Sequence, residues 1–90
     1  MKITANEAIY NYKQKNIELI NEVLIINKEV NNITQLYTDY LKYWFDKKYG
    51  ESNQYVKIRR NNVTAESTGV RADFINRQFD LLSKVNILYQ

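Results

Sequence analysis

The chain has no cysteine, no histidine and no proline, and only two glycines, Gly50 and Gly69, in 90 residues. Without cysteine there is no disulfide framework, and without Cys or His the usual zinc sites are excluded. The same absences remove a histidine general base, a cysteine nucleophile and a Ser-His-Asp arrangement. Carboxylates are present, but no pair of them falls in an apolar segment, so no catalytic constellation is visible and neither an enzyme nor a cofactor or metal is expected. Long apolar runs are also missing: the longest, Val23 to Ile26, is far short of the roughly 20 residues of a membrane span. The start, Met1-Lys2-Ile3-Thr4, leads directly into Asn6 and Glu7 and lacks the apolar core of a signal peptide. Together with the missing cysteines this points to the cytoplasm.

What is present is an ordinary globular balance, 44% apolar and 26% charged residues, enough for one small domain. The formal charge of +3 is unevenly placed. Residues 1–54 carry seven lysines and seven acids, whereas residues 55–90 carry six basic residues against three acids. A localised positive field suits an anionic partner such as nucleic acid. The richness in Asn, Ile, Lys and Tyr suggests an AT-rich coding source. No internal repeat or low-complexity tract stands out.

The apolar spacing predicts helices. Thr4-Ala5-Asn6-Glu7 fits a capping box for a helix running to about Val30. Along it Ile9, Tyr12, Asn16, Leu19, Val23, Ile26 and Val30 recur at alternating steps of three and four. β-branched residues at one seam position with a single Asn is a two-stranded coiled-coil pattern. Ile9, Tyr12, Asn16, Leu19, Val23 and Ile26 are therefore candidate dimerisation residues, and residues 1–32 a candidate dimerisation segment. A second helix is expected over about 33–48, with Tyr40, Tyr43, Trp44 and Phe45 mostly core and Gly50 as its stop. The alternation at 55–60 reads as a short strand. A third helix is expected at about 62–68, ended by Gly69, a fourth from Arg71 or Ala72 to Lys84, and a terminal strand at Ile87-Leu88-Tyr89.

The segment from Val63 to Tyr89 resembles a helix-turn-helix. Ala65 stands where the two helices would cross, Gly69 where the turn needs positive φ, Val70 at the turn, and Ile75, Phe79 and Leu82 along the buried row of the second helix. The order of elements over residues 33–90 is similar to the winged-helix superfamily. Thr64, Thr68 and Arg71 depart from its usual residues, and the chain leaves no room after the fourth helix for a full wing. The implied fold is mainly α: a winged helix-turn-helix with a minimal or absent wing, preceded by a long N-terminal helix.

That resemblance implies an exposed recognition face for the major groove, with Arg71, Ala72, Asn76 and Arg77 as base-reading candidates and Lys57, Arg59, Arg60 and Lys84 as phosphate contacts. Asp73 and Asp80 on the same face oppose phosphate. The function implied is sequence-specific binding of double-stranded DNA as a homodimer, without membrane or small-molecule partners. Such a chain would serve a mobile element such as a plasmid, in transcription regulation, partition, replication or conjugative-origin binding. The alternative is a protein–protein interaction module, for example a phage or plasmid inhibitor of a host protein.

Overall fold

The computed structural model describes residues 1–89, and among them every regular element is a β-strand. These are β1 (Lys2–Thr4), β2 (Glu7–Asn11), β3 (Asn16–Glu29), β4 (Asn32–Trp44), β5 (Tyr49–Arg60), β6 (Val63–Asp73) and β7 (Gln78–Tyr89). The composition favours this outcome. β3 alone carries Ile17, Ile20, Ile25, Ile26 and Val23, β-branched residues that suit a pleated, half-buried surface. The absence of proline leaves every backbone N–H free to join a ladder.

All pairings are antiparallel, in the order β1-β3-β4-β5-β6-β7, with β2 also on β3. β1 lies against Leu24–Ile26 and β2 against Asn16–Ile20, so the two form one edge strand broken at Ala5-Asn6. Each long pairing shifts register once near its middle, between Ile20 and Val23, Thr38 and Lys42, Ser52 and Tyr55, and Glu66 and Thr68. These are β-bulges, which bend a strand and sharpen its twist. Asn21, Glu22, Gly69 and Lys84 take the left-handed conformation there. Hydroxyls satisfy the backbone groups that the bulges release: Thr38 donates to the Tyr55 carbonyl at 2.9 Å, Ser67 to the Gly69 carbonyl at 2.8 Å, and Ser52 accepts from the Gln54 N–H at 3.1 Å.

The bends crease the sheet into two layers. One is a loop half, ending in the four-residue connections 12–15, 45–48 and 74–77. The other is a turn half, ending in the two-residue turns 30–31 and 61–62. The layers meet where Arg77, in the last loop, pairs with Glu29 at 3.0 Å and where the Tyr43 hydroxyl reaches the Met1 sulfur at 3.6 Å. Between them lies one core: Leu19, Val23, Ile25, Leu36, Leu41, Tyr43, Val56, Ile58, Val70, Ala72 and Phe74. Burying a side chain such as Leu36 completely contributes about 1.5–3 kcal/mol.

A mainly helical winged helix-turn-helix is therefore not the fold. The expected helix at 5–30 is β2, a loop and β3; that at 33–48 is β4; those at 62–68 and 71–84 are β6, the 74–77 loop and β7. The division expected between residues 32 and 33 falls inside the first residues of β4, within one sheet. Gly69 does take positive φ, at 88°, but opposite the extra residue of the β5 bulge rather than in an interhelical turn. A Cβ there would stand 2.9 Å from Leu82 Cδ1. Leu82 is half exposed and can yield, so the backbone conformation decides the cost. Gly69→Ala should lower stability by about 1–2 kcal/mol, read as a reduced urea midpoint with unchanged slope.

Candidate functional site

Antiparallel partners share a face, so the register separates inside from outside. One inner row of the turn half reads Ile3, Ile25, Leu36, Ile58, Ala65 and Ile87 across six strands. Its centre is sealed, with Ile25, Leu36 and Ile58 buried, yet at the β7 end Ile87 is 47% exposed. Val85 and Tyr89, on the same face of β7, are 47% and 75% exposed. In the loop half an inner row runs Tyr10, Ile17, Tyr43, Gly50, Ala72 and Phe79. There the exposed end is at β2, where Tyr10 stacks edge-on with Tyr12 at 5.1 Å and tilts against Phe45 at 6.0 Å. The interior is thus apolar, closed in its middle and open at two places. At the closed corner Phe74 and Phe79, in edge contact at 5.5 Å, leave about 10 Å³ beside Asn27, Thr34 and Arg60.

The outer face of the loop half is different in kind. Glu18, Lys42, Glu51, Arg71 and Asp80 stand directly opposite one another on five consecutive strands, with alternating sign. Opposite charges facing one another across strands favour this register over a slipped one. At one end Tyr40 donates to Glu18 at 2.6 Å. That hydrogen bond, followed by one from Asn11, holds the Glu18 carboxyl below the ordinary carboxylate range. Burial, then the bond to Glu18, pushes the Tyr40 phenol up to about 12. Bonds from the Asn76 N–H and side-chain amide, and from the Ile75 N–H, likewise lower Asp73, which fastens the start of the last loop.

The residues expected to read bases are dispersed. Arg71 is a member of the outer charge row, and Ala72 is fully buried inside. Asn76 bonds Asp73 and Arg77 pairs with Glu29, both in the 74–77 loop. Of the expected phosphate contacts, Lys57 and Arg59 lie on the outer face of β5. Arg60 shares an inner row with Thr34 and Val63, and Lys84 sits in the β7 bulge. Among the expected dimerisation residues, Asn16, Leu19 and Val23 are buried within the chain. Asn16 accepts from Asn11 at 2.7 Å and donates to Gln14 at 3.3 Å, which pins the 12–15 loop. Ile26 lies half-buried on the outer face opposite Gln35, and Ile9 and Tyr12 are exposed. No three His, Cys, Asp or Glu residues converge on a metal-sized site among the described residues. The sequence analysis placed Ile87 and Tyr89 in a terminal strand without a site role and left Val85 out; alternation with Lys84 and Asn86 marks Val85 and Ile87, but it breaks at the apolar Leu88.

The model of the lipopolysaccharide-assembly, LptC-related family matches residues 1–90. No curated protein sequence matches. Among solved structures, LptH of Pseudomonas aeruginosa matches with a TM-score of 0.61 and 10% identity over 99% of this chain and 94% of that one. That protein is described as the LptA-homologous periplasmic component of the conserved lipopolysaccharide transport device. At this identity the likeness speaks for the fold, a creased antiparallel sheet of the LptA-like jellyroll kind. The family match overturns the expected DNA partner, the regulatory and mobile-element roles, the inhibitor alternative and the cytoplasmic location.

The Tyr40–Glu18 pair gives a pH signature. With its folded value raised from 10.0 to about 12, Tyr40 keeps its proton after the unfolded chain has lost it, so stability falls as pH rises across that window. Glu18 acts oppositely: its contribution is present above the ordinary carboxylate range and is lost as pH falls through its lowered value. Tyr40→Phe should shrink the alkaline loss of stability and move the Glu18 carboxyl titration, followed by NMR, upward.

Proposed function

Because the chain belongs to the lipopolysaccharide-assembly, LptC-related family, we propose that it is a periplasmic, non-catalytic carrier module that holds the acyl chains of lipopolysaccharide against the inner face of its creased sheet. The observation behind this reading is the inner row of the turn half, which passes from fully buried Leu36 to half-exposed Ile87 without a change of chemistry. Apolar surface left open at the end of a closed core is a place for an apolar ligand. Each methylene taken from water there contributes about 0.8 kcal/mol, so roughly ten carbons of an acyl chain lying along Val85, Ile87 and Tyr89 supply on the order of 8 kcal/mol, enough to offset part of the cost of association and leave measurable binding. No bond is made or broken in this role.

β7 closes the sheet on one side only; its far edge pairs with no other strand of the described residues. An open edge is a template for strand addition, and β7 carries the exposed apolar residues along that edge. We read it as the side on which another β-module continues the sheet, so that the apolar inner face runs on from one module to the next. Transfer of lipid between modules then needs no excursion into water.

Ile87→Asp tests the reading. It should weaken binding of lipopolysaccharide by about tenfold or more while leaving the melting temperature nearly unchanged, because the site is already half exposed. Leu88→Asp, on the opposite face of the same strand, should bind as the parent chain does. Equal losses for the two variants, or none for either, would contradict the assignment.

A further inference from the structure

The three four-residue loops lie side by side at one end of the molecule. The Phe74 N–H donates to the Lys48 carbonyl at 3.0 Å, and Tyr10, beside the first loop, contacts Phe45 of the second at 6.0 Å. Each loop opens with an aromatic residue and closes with a basic one in the left-handed conformation: Tyr12 and Lys15 (φ 56°), Phe45 and Lys48 (φ 46°), Phe74 and Arg77 (φ 57°). Glycine or asparagine takes that backbone shape at lower cost, so the three cations occupy positions that folding alone would assign to other residues.

The charge is concentrated there. The loops hold Lys13, Lys15, Lys47, Lys48 and Arg77 against a single acid, Asp46, a net of +4 where the whole chain carries +3. The rest of the molecule is therefore slightly acidic. Arg77 pairs with Glu29, whereas the four lysines make no ion pair among the described residues. Between these cations project Tyr12, Ile75 and Phe45, 84%, 60% and 48% exposed. A shallow hollow of about 320 Å³ among Tyr10, Asn11, Tyr12, Lys13 and Gln14 opens on the same rim.

Exposed aromatic and branched side chains interleaved with unpaired lysines match a phospholipid interface. Aromatic rings settle at the headgroup level and lysines meet the phosphates. We propose that this rim docks the module on the surface of an anionic phospholipid bilayer, with Tyr12, Phe45 and Ile75 entering the headgroup region. The surface is built from loop residues and does not include Val85, Ile87 and Tyr89, on which the carrier reading rests.

Trp44 is the only tryptophan and adjoins Phe45, so it reports on the rim directly. The test is co-sedimentation of the chain with phosphatidylglycerol vesicles and with phosphatidylcholine vesicles, together with quenching of Trp44 by brominated lipid. The expected result is binding to the anionic vesicles that weakens by about tenfold or more in roughly 0.5 M salt, with Trp44 quenched. Replacing Lys13, Lys15, Lys47 and Lys48 by Glu should abolish binding. Tyr12→Ser with Phe45→Ser and Ile75→Ser should abolish quenching, and both sets should keep lipopolysaccharide binding, so failure here is separable from failure of the carrier reading. Lys57→Glu with Arg59→Glu, on the outer face of β5, is the charge control and should bind vesicles nearly as the parent does. Equal loss in that control, equal binding to phosphatidylcholine, an unquenched Trp44, or association with lipopolysaccharide aggregates but not with phosphatidylglycerol vesicles would each overturn the proposal.

Discussion

Strands of 11 to 14 residues are longer than the core of so small a chain is wide, since 14 residues span about 46 Å at roughly 3.3 Å each. Laid flat, such a sheet would expose both faces and bury neither. The bulges resolve this by bending each strand once and in register with its neighbours, so that a single sheet supplies both layers of its own sandwich. The shortest dimension of the molecule, 22 Å, is that of two packed layers with their side chains. Everything else in the structure depends on this crease. It decides which residues face inward, brings Arg77 to Glu29 and Met1 to Tyr43, and leaves the ends of the folded sheet without cover. The hydroxyls of Thr38, Ser52 and Ser67 belong to the same device, because a bend that stranded buried carbonyls and amides would be too costly to keep.

A creased sheet closes where its halves overlap and stays open where they do not. Phe74 and Phe79 seal one corner, while β7 and β2 carry the apolar inner face out into solvent. The outer faces are marked differently, with alternating charges holding register across the loop half. The interior, the open β7 edge and the cationic loop rim are thus three surfaces of separate chemistry on one small frame. Each is suited to a different neighbour: an acyl chain, another sheet and a phosphate surface.

The crease also explains why the sequence misleads. In β3 the buried residues are Asn16, Leu19, Val23 and Ile25. Asn16 is buried on the face of Glu18, opposite to that of Leu19, and the extra residue at Asn21-Glu22 resets the inner row, so the steps of three, four and two imitate a helix. In β4 the alternation is intact at Thr34, Leu36 and Thr38, but two of the three inward residues are threonines, so the apolar pattern does not show it. In β6 the inward positions hold Ser67 and Gly69 for the same reason, and Gly69, opposite the β5 bulge, passes for a helix-turn-helix turn because both need positive φ. The single Asn expected at a buried seam position is indeed buried, as Asn16, but it ties a loop rather than pairing two helices. What was legible was β-propensity, in the many Ile, Val, Tyr and Thr residues beside only four alanines, and the strand at 55–60. The aromatic-to-basic recurrence of the three loops does not stand out as a repeat, because its spacing is unequal. Periodicity points to helices where propensity points to strands, and bulges are where periodicity fails.

The most direct measurement is site-specific photocrosslinking along β7, with a benzophenone side chain placed in turn at each position from 84 to 89 in the presence of lipopolysaccharide. The yield should alternate, high at 85, 87 and 89 on the inner face and low at 84, 86 and 88 on the outer. Uniform labelling of all six positions, or crosslinks confined to the outer set, would contradict the claim that the lipid lies inside the crease.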